Sequence, residues 1–151
     1  MVTTLTIERL GHRGDGVAAG PVYVPRTLPG EVVSGEVDGS ALRDVRIVSP
    51  SAHRVAAPCP HYRACGGCQL QHAADDFVTD WRVAHVRQAL GAQGIEAEVS
   101  GVAISPPRSR RRAVLAVRRS KKGALAGFHG RASDTITPIS DCMVLSPGLL
   151  R

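Results

Sequence analysis

The chain has 151 residues, of which 43% are hydrophobic, and its 19 Lys and Arg outnumber 13 Asp and Glu. This length allows one domain or two small ones, and the hydrophobic content excludes a globally disordered chain. No apolar run reaches the roughly 18–20 residues of a membrane-spanning helix, and the first residues lack the regions of a secretory signal. The sequence therefore predicts a folded, monomeric, cytoplasmic protein without a membrane partner.

The first 50 residues alternate between polar and apolar side chains in short segments, which is typical of β-strands. Glycines and prolines separate the segments, and residues 11–16 are predicted to form a turn. The predicted strands are Thr4–Leu10, Val22–Val24, Glu31–Val37 and Leu42–Val48. Strands this short and this regularly interrupted predict a small antiparallel barrel over residues 1–52.

Residues 53–151 are predicted to form a second, β-rich domain with one helix. The helix is expected over residues 75–90, because acidic residues fill its first turn and Gly91 can end it. Its apolar side chains cover a broad surface, which predicts packing on more than one side, with Trp81 in the core. Further strands are predicted at Val99–Ile104, Arg112–Arg119, Leu125–His129 and Thr135–Ile139.

The cysteines are clustered. Cys59, Cys65 and Cys68 follow a Cys-x5-Cys-x2-Cys pattern, and Cys142 follows after 73 intervening residues. Disulfides are rare in a reducing cytoplasm, so this clustering indicates a metal site. Four thiolates suit either an iron–sulfur cluster or tetrahedral zinc.

Local chemistry favours the cluster over zinc. Gly66 and Gly67 have no side chains, so the backbone can close around a bulky group. Zinc sites with four cysteines more often pair two Cys-x2-Cys knuckles, and this chain has one. A local zinc site formed by the three clustered cysteines and His72 stays open as the alternative.

The segment from Cys65 to His72, with Cys59 six positions ahead, closely resembles the cluster signature of the RNA (uracil-5-)-methyltransferases. The resemblance extends over almost the whole chain. The N-terminal strands resemble the family's TRAM domain, an RNA-binding barrel of the OB type, and residues 136–145 resemble the segment that returns the last cluster ligand. The resemblance implies a 4Fe-4S cluster, with the ligands Cys59, Cys65, Cys68 and Cys142. A departure is Ser109, where family members usually have an aromatic residue.

Positive charge is concentrated in the second half of the chain, where nine basic residues and no acid lie between positions 108 and 131. Arginine forks suit phosphate, so this segment predicts an RNA-binding surface on a strand, a turn and a second strand. The alternative is a solvated surface. The predicted RNA-binding residues are Arg110, Arg111, Arg112, Arg118, Arg119, Lys121 and Lys122.

The resemblance implies a larger enzyme that methylates C5 of uridine in RNA, ribosomal rather than transfer RNA, using S-adenosylmethionine. The family's catalytic domain lies C-terminal to the matched segment. We therefore assign no catalytic residue here and expect no methyl transfer by this chain alone. Residues 147–151 look like the start of an element, so we expect a chain incomplete at its C-terminus. The missing domain is expected to pack on helix 75–90.

Two other functions are open from the residues alone. The main alternative is a stand-alone nucleic-acid-binding module with a structural zinc site. An electron-transfer protein is disfavoured, because the distant Cys142 and the arginine-rich segment do not look like a small ferredoxin.

Overall fold

The structure, a computed structural model, describes residues 1–121 and 123–150. The chain divides into two compact units, which we call the barrel unit and the cysteine unit. The barrel unit comprises Met1–Ala56 and His72–Ser100, and the cysteine unit comprises Ala57–Gln71 and Gly101–Arg151. In the described residues β-strands predominate over helix, which confirms the predicted mostly-β fold class. The assignment of residues 1–52 and 53–151 as domains stays a prediction.

Five short strands form a closed barrel in the barrel unit. They are β1 (Val2–Leu10), β2 (Gly16–Ala18), β3 (Val22–Val24), β4 (Val32–Asp38) and β5 (Ala41–Ser49). Their order around the barrel is β1-β2-β3-β5-β4, and β4 pairs with β1. The pairs are antiparallel except for a parallel contact between Tyr23 and Ala41. Closure between β3 and β5 depends on that one pair, so most of β5 is paired only on the side of β4.

The barrel interior is filled by branched aliphatic side chains. Ile7, Val24 and Val33 are fully buried there because alternate residues of each strand point inward. β4 and β5 approach so closely at Gly35 that a Cβ there would overlap the Arg43 carbonyl. The strand pairing is irregular at this glycine, and any larger residue would separate the two strands.

One strand of the barrel differs from the sequence expectation. Residues 11–16 were expected to be a turn, whereas Gly16 begins β2. A Cβ on Gly16 would overlap the Thr27 hydroxyl, so the glycine serves close packing in a strand. Glycine occurs both in turns and at closely packed positions in strands, and the sequence does not distinguish the two. The predicted turn therefore extended one residue too far, into β2.

The predicted helix is confirmed as α1 (Asp75–Gly91), but its packing was predicted wrongly. Val78 is its buried residue, and Val86 is half exposed. Trp81 is half-buried and lies against His85, with ring centroids 5.5 Å apart, rather than inside a core. No helix among the described residues is long and apolar enough to cross a bilayer.

The cysteine unit contains a three-stranded antiparallel sheet in the order β6 (Ala116–Ser120), β7 (Gly123–His129) and β8 (Ile136–Pro138). A short 3-10 helix follows at Pro147–Leu150. One strand prediction was wrong, and a second was wrong only in its starting residue. Residues 99–104 have no regular structure and are mostly exposed. Alternation of polar and apolar residues suggests a strand, but it does not show whether a second strand is available to pair with it. The predicted 112–119 strand begins only at Ala116.

Candidate metal centre and nucleic-acid surface

The segment that carries three cysteines is an excursion from the barrel unit, and its two ends are paired. Arg54 and Ala73 form an isolated antiparallel bridge. Next to it, the Val55 N–H donates to the His72 carbonyl at 3.0 Å. The chain therefore leaves and returns at one place, with residues 57–71 between.

Local hydrogen bonds make this excursion compact. The Tyr62 N–H donates to the Cys59 carbonyl at 3.1 Å, and the Cys65 N–H donates to the His61 carbonyl at 2.8 Å. The Tyr62 ring is buried, and its hydroxyl donates to the Gln69 carbonyl at 2.6 Å. These contacts set the spacing of the clustered cysteines through consecutive tight turns.

The cysteine loop is attached to the end of β7 through its glycine pair. The Gly66 N–H donates to the His129 carbonyl at 2.9 Å, and Cys65 pairs with Gly130 in an isolated bridge. A Cβ on Gly66 would lie 2.8 Å from that carbonyl oxygen and 2.9 Å from the Arg131 nitrogen. Backbone atoms cannot yield to a new methyl group, so this close approach requires glycine.

All four cysteines line one pocket of about 60 Å³ within the cysteine unit. The four thiols are free, and Cys142 is buried. Side chains of His61, Phe128 and Arg110 complete much of the wall. His61 also joins the loop to the other cysteine segment, because its Nε2 lies 3.2 Å from the Ser140 hydroxyl. The structure thus brings together the four residues that were predicted as cluster ligands.

Two of the cysteine sulfurs accept hydrogen bonds from backbone amides. The Gly67 N–H lies 3.3 Å from the Cys65 Sγ, and the N–H groups of Val144 and Leu145 each lie 3.5 Å from the Cys142 Sγ. Amides aimed at sulfur favour the thiolate form, and such bonds accompany metal-bound cysteines. The donor set and its surroundings therefore fit a thiolate-bound group.

Gln71 connects two of the cysteines. Its side-chain oxygen accepts the Cys59 N–H at 3.2 Å, and its amide also bonds to the Cys68 thiol. Burial raises the pKa of Cys68, and the Gln71 bond partly offsets that rise. Charges on the other three cysteines raise the pKa of Cys68 further, which reflects how closely the thiols are grouped.

The grouped cysteines are not a finished coordination sphere. Across residues 1–121 and 123–150, no three His, Cys, Asp or Glu side chains are arranged to hold one metal ion. His72, the alternative fourth ligand, belongs to the barrel unit and does not line this pocket. The sequence placed His72 near the cysteines because only three residues separate it from Cys68.

His72 instead lies in a buried polar cluster of the barrel unit. Burial lowers the pKa of His72, and the charge of Arg54 lowers it further, while a backbone hydrogen bond with Thr27 opposes both. The same arginine binds the buried Glu31 carboxylate. This cluster stabilises the barrel unit at the point where the chain leaves and re-enters it.

The predicted RNA-binding residues occupy different environments. Arg110 lines the cysteine pocket, and it pairs with Leu145 in an isolated parallel bridge outside the regular strands. Arg111 and Arg112 are exposed in the segment before β6. Lys122 lies outside the described residues.

The β6–β7 hairpin carries the rest of the predicted surface. Arg118 and Arg119 are exposed on opposite faces of β6, opposite Leu125 and Ala124 of β7. The Arg118 guanidinium donates to the Asp134 carbonyl at 3.2 Å. Lys121 is exposed at the turn. The hairpin therefore presents cations on both of its faces.

Sequence reasoning missed an ion pair beside Cys142. The Arg108 guanidinium donates to both oxygens of the Asp141 carboxylate, at 2.7 and 3.0 Å. The hydrogen bond to Arg108 holds the pKa of Asp141 below its usual value. The partners are 33 residues apart in sequence, and no local pattern signals such a contact.

Comparison with known proteins gives named relatives. No protein-family model matches the chain. It is 43% identical over 152 residues to an uncharacterized RNA methyltransferase of Caulobacter vibrioides, covering 97% of this chain and 37% of that protein. It is 34% identical over 160 residues to the 23S rRNA (uracil(1939)-C(5))-methyltransferase RlmD of a Marinomonas species, covering 98% and 36%. The chain thus spans little more than a third of the length of these relatives.

A solved structure has the same fold over this region. It is the Pyrococcus abyssi tRNA (uracil-54, C5)-methyltransferase in complex with S-adenosyl-L-homocysteine, with a TM-score of 0.62 and 23% identity. The match covers 97% of this chain and 34% of that one. Over the segment that it spans, the chain is therefore similar to RNA methyltransferases, among them a 23S rRNA (uracil(1939)-C(5))-methyltransferase.

Proposed function

We propose that this chain is the RNA-binding, cluster-bearing N-terminal part of an S-adenosylmethionine-dependent RNA uridine C5-methyltransferase. The observation that carries the proposal is the meeting of all four cysteines in one pocket. Three come from a loop anchored on β7, and the fourth comes from the segment after β8. This chain spans that meeting point and holds RNA for the catalytic part of the enzyme.

The ligands of the proposed 4Fe-4S cluster are Cys59, Cys65, Cys68 and Cys142. When bound, the cluster supplies a covalent tie between two segments that are distant in sequence. Hydrogen bonds from the surrounding residues position the cysteines for this role. Backbone amides donate to two of the sulfurs, and Gln71 accepts the N–H of Cys59. The role of the cluster in this chain is structural.

The proposed RNA surface is the basic hairpin with the segment before it. Arg111, Arg112, Arg118, Arg119 and Lys121 are exposed, and phosphate is the anion that such forks bind well. The barrel is the proposed second RNA contact, as a TRAM domain. Ribosomal RNA is the proposed substrate class, because the named relative at 34% identity acts on 23S rRNA.

Metal analysis of four proteins tests the proposal: the wild type and the variants Cys142→Ser, Cys65→Ser and His72→Gln. After anaerobic purification, the wild type and His72→Gln should contain iron and sulfide near four each per chain. Both serine variants should lose most of that iron. One zinc per chain that survives Cys142→Ser but not His72→Gln would replace the cluster with a Cys3His zinc site. It would then support a stand-alone zinc module.

A further inference from the structure

The segment that carries Cys142 is held by an arginine that was not assigned to any site. The Arg108 guanidinium and the Asp141 carboxylate form two parallel hydrogen bonds, at 2.7 and 3.0 Å. Both side chains are partly exposed, at 38% and 44%. Exposed ion pairs add little to the free energy of unfolding. The main effect of this pair is therefore on the position of the backbone around Cys142.

That geometry reaches the cysteine through the same carboxylate. The Cys142 N–H donates to the Asp141 Oδ1 at 2.9 Å, and this oxygen also accepts from the Arg108 Nη1. The carboxylate therefore fixes the backbone just before the thiol. Without its arginine, the carboxylate would be free to rotate away from the amide.

Arg108 also holds the backbone on the other side of the cysteine. Its own N–H donates to the Met143 carbonyl at 2.9 Å. Two residues further on, the Arg110 N–H donates to the Val144 carbonyl at 3.0 Å, and the Ser146 N–H donates to the Arg110 carbonyl at 2.8 Å. Arg108 thus binds Asp141 through its side chain and Met143 through its backbone, on either side of Cys142.

The backbone of Arg108 is strained. Its φ of 57° lies in the left-handed region, which residues other than glycine rarely adopt. Such conformations persist where surrounding contacts over-determine them, and they cluster at functional sites. Here the contacts are the fork to Asp141 and the hydrogen bond to Met143.

We infer that Arg108 is a positioning residue that aims Cys142 into the cysteine pocket. The inference rests on the proposed cluster, to which Arg108 contributes no ligand. It also separates Arg108 from the RNA surface, because its fork is already occupied by a carboxylate. Arg111 and Arg112, a few residues on, are exposed and serve as the contrast.

The test compares the wild type with Arg108→Gln, Asp141→Asn and the control Arg112→Gln, which removes one charge from the same segment. Two rates are measured in the full chain. The first is alkylation of Cys142 in the metal-free protein, followed by peptide mass spectrometry. The second is iron release to a chelator after anaerobic reconstitution.

Arg108→Gln and Asp141→Asn should both release iron about tenfold faster or more, the usual effect of losing a partner that orients a ligand. Both should also alkylate Cys142 several-fold faster, whereas Arg112→Gln should match the wild type. Arg108→Lys should be intermediate, because an ammonium lacks the fork.

Rates for Arg108→Gln and Asp141→Asn equal to those of Arg112→Gln would overturn the inference. If one of these variants does not fold, the other decides. A wild type that takes up no iron would defeat the proposed cluster, but the alkylation rates would still decide the role of Arg108.

Discussion

The Arg54 guanidinium grips the fully buried Glu31 carboxylate, with its Nε 2.5 Å from one oxygen and its Nη2 2.8 Å from the other. The N–H groups of Leu28 and Ser51 donate to the same carboxylate. Arg54 also donates to the Arg26 carbonyl at 2.8 Å. This cluster ties the barrel to the residues at which the chain leaves it.

We therefore predict that Arg54→Ala lowers the free energy of unfolding by about 3–5 kcal/mol, because it leaves a buried charge without its partner. Chemical denaturation monitored by circular dichroism measures the change. Arg43→Ala is the matched control, since the Arg43–Asp38 pair is more than half exposed. It should cost less than about 1 kcal/mol. Equal losses in the two variants would show that burial of Glu31 is unimportant.

The same cluster predicts loss of stability in acid. Burial alone would raise the pKa of Glu31, but hydrogen bonds from Arg54, Leu28 and Ser51 lower it below its ordinary 4.5. The folded chain then binds fewer protons than the unfolded chain as the pH falls through this range. The free energy of unfolding should therefore fall below about pH 4.5.

His72 adds an earlier stage to this acid sensitivity. Burial and the Arg54 charge lower the pKa of His72 below 6.5, so the unfolded chain protonates first and stability falls below about pH 6.5. Denaturation of the wild type, Glu31→Gln and His72→Gln from pH 7.5 to 3.5 separates the stages. His72→Gln should flatten the upper stage, and Glu31→Gln the lower one. An unchanged profile in either variant would contradict that assignment.

The close approach of β7 and β8 predicts the effect of a single methyl group. A Cβ on Gly127 would overlap the Thr137 carbonyl oxygen, which is backbone and cannot move aside. Gly127→Ala should lower the free energy of unfolding by about 1–3 kcal/mol or more. It should also reduce iron uptake, because β8 leads to Cys142. Gly101→Ala, in open space in the same unit, should stay within about 0.5 kcal/mol of wild type.

The barrel and the cysteine site were predictable to different depths. Alternation located four barrel strands, and the acidic first turn located α1, because both signals are local. Val99–Ile104 alternates equally well but has no strand to pair with, and no local signal reports a missing partner. The meeting of Cys142 with the cysteine loop came from resemblance to a family. The Arg108–Asp141 pair had no sequence signal, since its partners meet through the path of the chain.

RNA binding should depend on the hairpin cations. Each arginine that contacts phosphate contributes roughly 0.7 to the slope of log affinity against log salt for single strands. Arg118→Ala with Arg119→Ala should weaken binding to a single-stranded ribosomal RNA fragment and make the slope shallower. Arg82→Ala with Arg87→Ala removes the same charge from exposed positions of α1. Equal slopes for the two double variants would show that RNA binding depends on total charge and not on the position of these arginines in the hairpin.

X-ray absorption of the anaerobically purified chain at the iron and zinc edges tests the central claim most directly. A cluster held by Cys59, Cys65, Cys68 and Cys142 predicts an iron signal with sulfur neighbours and short iron–iron distances. The signal should disappear in Cys142→Ser. A zinc signal with three sulfur neighbours and one nitrogen neighbour, unchanged in Cys142→Ser, would contradict the account.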